Sequence, residues 1–480
     1  MYKNFIGGEW IVTDEYQENR NPANYDDILG LFPDSRPEDV NQAMEVAFTS
    51  YELWRKTNLS ERAACLYRVA DWLDTHAPRI AEDITREEGK IYREALQEVK
   101  RSAEHFRFYA SLGYLGGGHT YPANESQLTL YSMREPLGVV AVITPWNFPL
   151  SIPARKIAAA LTAGNAVVFK PASETPLTAV HLTRAIEESG IPPGVFNLVI
   201  GRGSRIGDVI VSHHRVHGVT FTGSTEAGFH IQRSVSPTCR TQLELGGKNA
   251  VVVMDDADLD QAVNLVVKGG YNLTGQACTG TSRVLVQESV YQSFLDRLIY
   301  ATSNLHVGDG RKDGTDVGPL ISAAQLHSVI DYIHIGIEEG LPLLFGGTIM
   351  DQGDYQKGFY VLPAVFAPVN RKSRLFQEEI FGPVLAVTPF ATLEEAIDLT
   401  NDSSYGLVAA IFTQQLKAAH LFADRVQAGM IKINRTTTGL AMNAPFGGWK
   451  HSSTATFREE GIEALEFFTR EKTVFMGWDL

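Results

Sequence analysis

Hydrophobic residues near the start of the chain recur at helical spacing. Apolar side chains at positions 40, 44, 47, 48 and 51 predict an amphipathic helix over residues 37–56. A second helix is predicted over residues 60–72 with Ser60 as its N-cap, and a third over about residues 78–109. The first third of the chain is therefore expected to contain long helices.

Beyond residue 137, short apolar runs alternate with helical patterns. The runs that predict strands cover residues 139–143, 166–169, 196–200 and 219–221, with helices predicted over residues 152–163, 177–189, 205–212 and 226–236. Strand–helix repetition of this length predicts a parallel sheet with helices on both faces. The fold class is therefore α/β, with a doubly wound, Rossmann-like unit.

A second alternating block follows. It contains predicted strands over residues 249–254, 282–286 and 384–390, and a helix over residues 259–271. This pattern predicts a second α/β domain.

Two segments lie outside both blocks, residues 127–134 and 467–475, and both alternate polar and apolar residues. Two such half-exposed strands could pair and could extend a sheet across a subunit boundary. The domains expected are therefore residues 1–117 with 138–246, residues 247–445, and a small β flap for oligomerisation from residues 118–137 with 465–480.

Composition narrows the class of protein. The chain has 480 residues, of which 44% are hydrophobic and 20% charged, as in ordinary globular proteins. A net charge of −14 argues against a nucleic-acid partner. The most apolar stretch, residues 137–169, is interrupted by prolines and charged residues, so no membrane span is predicted.

The three cysteines are too few for a disulfide framework. Cys65, Cys239 and Cys278 are therefore expected to be free thiols in a reducing compartment, which predicts a cytoplasmic protein. The first ten residues hold no apolar run of signal-peptide length, in agreement with that expectation. The thirteen histidines show no ligand spacing with cysteine, so no metal site is expected.

Cys278 differs from the other two cysteines in its neighbours. Small and polar residues flank it on both sides, which predicts a loop where a thiol can be approached. An isolated free cysteine is usually a small buried hydrophobe. However, Glu244 lies upstream between two leucines, where a carboxyl group with a raised pKa could act as a general base.

Polar residues follow several predicted strands. Asn147 and Lys170 come after two of them, and the turn containing Gly223 and Ser224 comes after another. Ligands of doubly wound sheets bind at the carboxyl ends of strands, so these residues could converge on one site. Taken singly, Asn147 could be a turn residue and Lys170 a solvated strand end.

Taken together, these segments resemble the aldehyde dehydrogenase superfamily of NAD(P)-dependent enzymes. The resemblance covers nearly the whole chain. The motifs that carry it are Pro145-Trp-Asn-Phe-Pro149, Phe221-Thr-Gly-Ser-Thr225, Glu244-Leu-Gly-Gly-Lys248, Gly275-Gln-Ala-Cys278, Glu379-Ile-Phe-Gly-Pro383 and Pro445-Phe-Gly-Gly-Trp-Lys450.

The resemblance implies a covalent mechanism. Cys278 would attack the aldehyde carbonyl to give a thiohemiacetal, and Asn147 would hold the oxyanion together with a backbone N–H. Hydride transfer would leave a thioester, for whose hydrolysis Glu244 would activate water. Lys156 matches a lysine that supports the nucleotide and the active-site network.

The resemblance also implies the cofactor residues, which are Trp146, Lys170, Ser173, Arg202, Gly203, Gly223, Ser224, Glu379 and Phe381. NAD-restricted members commonly carry a Glu where this chain has Ser173. A serine there removes the repulsion of a 2′-phosphate, and Arg202 could supply positive charge. We therefore expect NADP to be accepted beside NAD, and it could be preferred.

The substrate end most resembles the 2-oxoglutarate semialdehyde (2,5-dioxopentanoate) and succinate semialdehyde dehydrogenases. Arg155 replaces an aromatic residue of many simple-aldehyde enzymes and could bind a distal carboxylate, or it could form a salt bridge on the helix surface. Ser452 and Ser453 could donate to the same group. Asn272 stands where succinate semialdehyde enzymes usually carry an arginine, so a neutral aliphatic or aromatic aldehyde remains the alternative.

Other classes of function are less favoured. A coenzyme-A-acylating relative would not need Glu244, and a thiol hydrolase would need a partner histidine, for which no context exists. A silent nucleotide-binding structural protein remains the alternative outside the enzymes. The family's pairing of a hairpin with the C-terminal strand implies a homodimer or a homotetramer.

Overall fold

The computed structural model describes residues 1–115, 117–454 and 456–478. The helices of its first half are α1 (Pro37–Trp54), α2 (Leu59–Thr75), α3 (Ala77–Glu88), α4 (Tyr92–Leu112), α5 (Ser151–Thr162), α6 (Pro176–Glu187), α7 (Gly203–Val211) and α8 (Thr225–Ser234). Those of its second half are α9 (Leu259–Tyr271), α10 (Tyr291–Ser303), α11 (Ala323–Glu338), α12 (Arg374–Gln377), α13 (Leu393–Asn401), α14 (Leu416–Arg425) and α15 (Ala464–Phe468).

The strands up to residue 244 are β1 (Asn4–Ile6), β2 (Glu9–Ile11), β3 (Tyr16–Asn21), β4 (Asn24–Pro33), β5 (Thr120–Tyr121), β6 (Leu128–Pro136), β7 (Val139–Ile143), β8 (Ala166–Lys170), β9 (Phe196–Leu198), β10 (Val216–Thr222) and β11 (Arg240–Glu244). The later strands are β12 (Asn249–Val253), β13 (Thr281–Gln287), β14 (Leu343–Phe345), β15 (Ile349–Met350), β16 (Tyr360–Val361), β17 (Ala364–Phe366), β18 (Val384–Phe390), β19 (Tyr405–Gly406), β20 (Val408–Phe412), β21 (Met430–Ile433), β22 (Trp449–Lys450) and β23 (Thr469–Gly477).

The first large sheet has the strand order β11-β10-β7-β8-β9-β1-β2. Its first five strands are parallel, and β1 and β2 continue it in antiparallel pairing. Val140 and Val142 pack in the core with α4 and α5, whereas Val139 and Ala141 pack in the core with α1 and α7. This alternation makes β7 buried on both faces, as expected of a doubly wound sheet.

The second large sheet has the order β14-β17-β18-β13-β12-β20-β21 and is parallel except for β14. Its strands β12 and β20 are buried at every position and rich in valine and alanine. The α/β fold class predicted from the sequence is therefore confirmed in both halves of the chain.

A third sheet pairs strands that are distant in sequence. Strand β23 runs antiparallel to β6 over nine residue pairs, from Thr469 with Pro136 to Gly477 with Leu128, and β5 adds to the other side of β6. The pairing of these two segments within the chain confirms the prediction, while their role between subunits stays a prediction. Strands of the three sheets come from residues 4–11 with 139–244, 249–433, and 120–136 with 469–477, respectively.

The predicted long helix over residues 78–109 is wrong, because the chain breaks at Gly89. Its φ is +97°, and a Cβ there would lie 2.8 Å from Cγ of Pro319, so both conformation and space require glycine. The second helix begins after Asn58 rather than Ser60. The sequence reading also missed strands β1 to β4. No helix among the described residues has the length and apolarity needed to cross a membrane.

Candidate active site

A cavity of about 530 Å³ opens at the carboxyl ends of β7, β8 and β10. Nine predicted site residues line it: Trp146, Asn147, Lys170, Gly203, Gly223, Ser224, Cys278, Glu379 and Phe381. The remaining seven, Lys156, Glu244, Ser173, Arg202, Arg155, Ser452 and Ser453, do not line it.

Cys278 follows a tight 3-10 turn, Asn272–Gly275. Leu273, Thr274 and Gly275 have positive φ angles of 51°, 57° and 70°, and a Cβ on Gly275 would lie 2.3 Å from the carbonyl oxygen of Gly382. The turn therefore delivers the cysteine to the cavity through an uncommon backbone path. The thiol is half-buried, and burial raises its pKa to about 12, although the Arg155 guanidinium acts in the opposite direction.

Asn147 lies in the turn between β7 and α5 and is buried. Its Nδ2 donates to the carbonyl oxygen of Gln276 at 2.9 Å, two residues before Cys278. The backbone carbonyl oxygen of Asn147 accepts a hydrogen bond from Nζ of Lys90 at 2.7 Å. The side-chain amide of Asn147 therefore faces the segment that carries the thiol. The Lys90 ammonium fixes the turn that carries Asn147.

Glu244 ends β11 and is buried beside the cavity wall. Both carboxylate oxygens lack a hydrogen-bond partner among the described residues. Burial raises the pKa of Glu244 well above its ordinary value, and Glu459 raises it further, while Lys156 opposes the shift. Such a carboxyl group is protonated more readily than an ordinary glutamate, which suits a base that works near neutral pH.

Lys156 and Arg155 meet one carboxylate that the sequence reading did not single out. Nζ of Lys156 pairs with Oε1 of Glu459 and donates to Oγ1 of Thr220 at 2.8 Å. Nε of Arg155 lies 2.8 Å from Oε2 of Glu459, and its Nη1 lies 3.5 Å from Glu460. The two cations lower the pKa of Glu459 against the effect of burial.

Arg155 is expected to bind the distal carboxylate of a substrate, and this role stays a prediction. Its side chain is 6% exposed and ion-paired with Glu459. It nevertheless belongs to the thiol's surroundings, because its guanidinium carbon lies 5.2 Å above the ring of Phe446, which packs in one apolar cluster with Cys278.

The cofactor side of the cavity is formed by a helix start and two aromatic rings. Ser224 caps α8 by accepting a hydrogen bond from the Ala227 N–H at 3.3 Å. A Cβ on Gly203 would meet no atom within 4 Å, so this wall is open. The rings of Trp146 and Phe381 meet edge to face at 5.4 Å. This combination suits a ligand with phosphates and flat rings.

Glu379 adds a carboxylate to the same wall. Its Oε1 accepts a hydrogen bond from the N–H of Gly247 at 2.9 Å, and burial raises its pKa to about 7. The group can therefore accept hydrogen bonds from ligand hydroxyls when it is ionised.

The residues expected around the adenosine ribose make contacts within the chain. Nζ of Lys170 donates to the carbonyl of Pro171 at 2.8 Å, and burial lowers its pKa to about 8. Oγ of Ser173 lies 3.4 Å from the carbonyl oxygen of Gly201. Arg202, expected to supply free positive charge, is instead paired with Asp34, with Nε at 3.0 Å. That expectation is corrected, since Asp34 already balances the guanidinium.

Of the two serines expected to bind substrate, Ser452 needs correction. Oγ of Ser452 accepts a hydrogen bond from the N–H of Gly406 at 3.0 Å, and the residue is fully buried. It holds the backbone together rather than facing a ligand. Ser453 is buried and pairs with Glu244 in an isolated antiparallel bridge. Its Oγ has no hydrogen-bond partner among the described residues, and its role in substrate binding stays a prediction.

Sequence reading also missed Lys90 and Glu98, which lie under the Asn147 turn. Oε1 of Glu98 accepts hydrogen bonds from the N–H groups of Leu150 and Ser151 at 2.9 and 3.0 Å, where α5 begins. No motif marks these residues. Their one sequence signal is that Glu98 falls on the buried face of an amphipathic helix.

The comparisons with known proteins agree with this geometry. Residues 10–474 match the model of the aldehyde dehydrogenase family. The chain belongs to the aldehyde dehydrogenase family.

Two relatives and one solved structure illustrate the similarity of this chain to other members of the family in sequence and in fold. It is 42% identical to alpha-ketoglutaric semialdehyde dehydrogenase of Bacillus subtilis, over 99% of this chain and 98% of that protein. It is 43% identical to 2,5-dioxopentanoate dehydrogenase of Saccharolobus solfataricus, over 98% and 99%. A crystal structure of betaine aldehyde dehydrogenase from Staphylococcus aureus in complex with NAD⁺ matches with a TM-score of 0.97 at 33% identity, covering 99% of this chain and 95% of that one.

The expected class of enzyme is thereby confirmed. This aldehyde dehydrogenase oxidises an aldehyde to the acid with a nicotinamide cofactor, as its family does.

Proposed function

We propose that this enzyme oxidises an aldehyde that carries a distal carboxylate, with 2-oxoglutarate semialdehyde as the first candidate. The observation that carries the proposal is the buried Arg155, placed above Phe446 in the same surroundings as Cys278. The two relatives that are 42% and 43% identical bear names for this substrate, which supports the same choice.

The first chemical step belongs to Cys278. The thiol loses its proton to solvent water, the thiolate sulfur forms a bond to the aldehyde carbon, and the carbonyl electrons move to oxygen. Burial raises the thiol pKa to about 12, and the Arg155 guanidinium acts in the opposite direction and favours the thiolate. The Asn147 amide and the Cys278 N–H then stabilise the oxyanion of the thiohemiacetal.

The second step releases the acid. Bound NAD(P) supplies the hydride acceptor that turns the thiohemiacetal into a thioester. Glu244 then takes a proton from water as the water oxygen bonds to the thioester carbon, and the sulfur leaves as thiolate. Lys156 and Glu459 lie next to this carboxyl group and set its charge, with opposite effects on its pKa.

The cofactor is held by the cavity wall described above. Ser224 and Gly223 at the start of α8 would receive the phosphates, and Glu379 the ribose next to the nicotinamide. Both NAD and NADP are accepted in this proposal, because Ser173 places no carboxylate near the adenosine ribose. A preference for NADP loses its support, since Arg202 is paired with Asp34. Comparing the KM values for the two cofactors tests this point.

The substrate is tested by measuring reduced nicotinamide across four aldehydes. The panel contains 2-oxoglutarate semialdehyde, succinate semialdehyde, an uncharged aliphatic aldehyde and benzaldehyde. The two carboxylated aldehydes are expected to have the highest kcat/KM. If the uncharged aldehydes win, the distal-carboxylate proposal fails, while the family assignment stands.

An Arg155→Met variant then separates two roles of the arginine. If Arg155 binds the distal carboxylate, kcat/KM falls by about 10- to 100-fold more for the carboxylated aldehydes than for the uncharged ones, which lose only the thiolate stabilisation. If Arg155 serves only to hold Glu459, all four aldehydes lose activity together. That equal loss would contradict the substrate assignment.

For the assembly we propose a homodimer or a dimer of dimers in the cytoplasm. Strand β23 is the open edge of the third sheet, and Phe475 and Met476 on it are 68% and 51% exposed. The three unbridged cysteines suit a reducing compartment. Sedimentation of Phe475→Glu beside the unmodified protein tests the interface, and the variant is expected to dissociate.

A further inference from the structure

Three charged side chains are buried beneath the turn that carries Asn147. Glu88, Lys90 and Glu98, here called the Lys90 cluster, are at most 2% exposed at their side chains. Nζ of Lys90 lies 2.6 Å from Oε2 of Glu98 and 3.9 Å from Glu88. Its third contact is the hydrogen bond of 2.7 Å to the carbonyl oxygen of Asn147.

Glu98 uses its two oxygens on different partners. Oε2 accepts a hydrogen bond from the Lys90 ammonium, and Oε1 accepts hydrogen bonds from the backbone N–H groups of Leu150 and Ser151. Leu150 precedes α5 and has no side chain that could cap it, so a carboxylate from α4 takes that role. The segment from Asn147 to Ser151 is thus held at both ends by one buried ion pair.

Stability alone does not explain such an arrangement. A buried ion pair is often no more stabilising than well-packed apolar side chains of the same size. What it does provide is a fixed direction for each hydrogen bond. Here the hydrogen bond from Lys90 fixes the orientation of the Asn147 peptide. The Asn147 side chain in turn donates to the carbonyl oxygen of Gln276, two residues before Cys278.

We propose that Lys90 and Glu98 are positioning residues for the oxyanion site. They act through the Asn147 backbone and hold its side-chain amide toward the position of the aldehyde oxygen, where the negative charge develops when Cys278 attacks. The inference rests on the proposed function, in which the Asn147 amide stabilises the oxyanion. A displacement of about 1 Å in such a group can lower the rate by about 100-fold.

Two variants test the cluster against a matched control. Lys90→Met removes the ammonium at similar length, and Glu98→Gln keeps an oxygen for α5 but loses the ion pair. The control is Glu87→Gln, since Glu87 is equally buried and accepts the Thr178 N–H at 2.9 Å at the start of α6, away from the turn. Activity is expressed per Cys278 thiol of the protein that elutes from a gel-filtration column as folded enzyme, so misfolded protein does not count.

The expected result is that kcat falls by about 100-fold in both cluster variants, with the KM for the cofactor unchanged. The Glu87→Gln control keeps its kcat. If the control loses as much kcat per thiol as the cluster variants, the effect is one of general stability and the proposal is overturned.

A double-mutant cycle with Asn147→Ala gives the decisive comparison. Removing the amide alone is expected to lower kcat by about 100- to 1000-fold. If Lys90 acts through Asn147, adding Lys90→Met to Asn147→Ala lowers kcat little further. Full additivity would overturn the positioning role and leave the proposed function intact. An Asn147→Ala variant with unchanged kcat would instead refute the oxyanion role, and the present inference with it.

Discussion

Replacing Gly246 with alanine should damage the cofactor site through a single side chain. A Cβ on Gly246 would lie 2.1 Å from Oε2 and 3.0 Å from Oε1 of Glu379. Ordinary contacts of this kind are about 3.4 Å or longer, so the carboxylate must move by more than 1 Å. It would then leave both the Gly247 N–H and the ligand hydroxyls that it is proposed to bind.

The magnitude follows from the hydrogen bonds that are lost. A hydrogen bond to a charged group contributes about 1.5–3 kcal/mol. At about 1.4 kcal/mol per tenfold change, one such bond to the cofactor corresponds to an increase in Kd of about 10- to 150-fold. The backbone at Gly246 has no positive φ, so the added methyl group should not strain the chain itself.

Isothermal titration of NAD into the purified variants measures the effect. Glu379→Ala alone should weaken binding by a similar factor, and Gly246→Ala should add little in that background because the displaced group is gone. Gly477→Ala, where the nearest atom is 3.9 Å away, controls for the methyl group. Unchanged NAD affinity in a folded Gly246→Ala variant, or additive losses in the double variant, would refute the reasoning.

Other substitutions test the chemistry and the cofactor more directly. Cys278→Ala should abolish oxidation and retain cofactor binding; residual turnover above background would remove the cysteine from the mechanism. Glu244→Gln should release one equivalent of reduced cofactor per site in a rapid burst and then turn over at least about 100-fold more slowly; a slow phase as fast as that of the unmodified enzyme argues against its role as base. Ser173→Glu should raise the KM for NADP far more than the KM for NAD, as steady-state rates will show. Because the pKa of Glu379 is raised to about 7, the protonated form dominates below that pH and NAD affinity should increase as pH rises through 7; Glu379→Gln should remove that dependence in titrations between pH 5.5 and 8.5.

The sheet strands could be predicted because their side chains carry the pattern locally. Strand β7, Val139–Ile143, is apolar at every position and buried at every position, and β18 and helix α9 match their predicted bounds as well. The break at Gly89 could not be predicted in the same way. Pro319, more than 200 residues later, comes within 2.8 Å of where a Cβ would lie, so the need for glycine at this position is visible only in the folded chain.

In the candidate site, too, the residues in local motifs could be predicted and those that depend on long-range contacts could not. Cys278, Asn147 and Glu244 stand in motifs that the sequence displays. The residues that influence the protonation and orientation of these groups stand in no such motif, because they come from distant segments. Glu459 contacts Lys156 across 303 residues, and Lys90 contacts Asn147 across 57. The same limit explains why Arg202 and Ser452 were misjudged, since Asp34 and Gly406 satisfy them only in the folded chain.

The separation of 303 residues between Lys156 and Glu459 also has a consequence for synthesis of the protein. At about 5–20 residues per second, the ribosome makes Lys156 and Arg155 roughly 15–60 s before the carboxylate that neutralises them. During that interval the helix that carries both cations would have to bury two uncompensated charges, which is strongly unfavourable. We therefore expect the nascent amino-terminal half to stay loosely packed, and a chain truncated before Glu459 to be a target for chaperones and proteases rather than a stable half-enzyme.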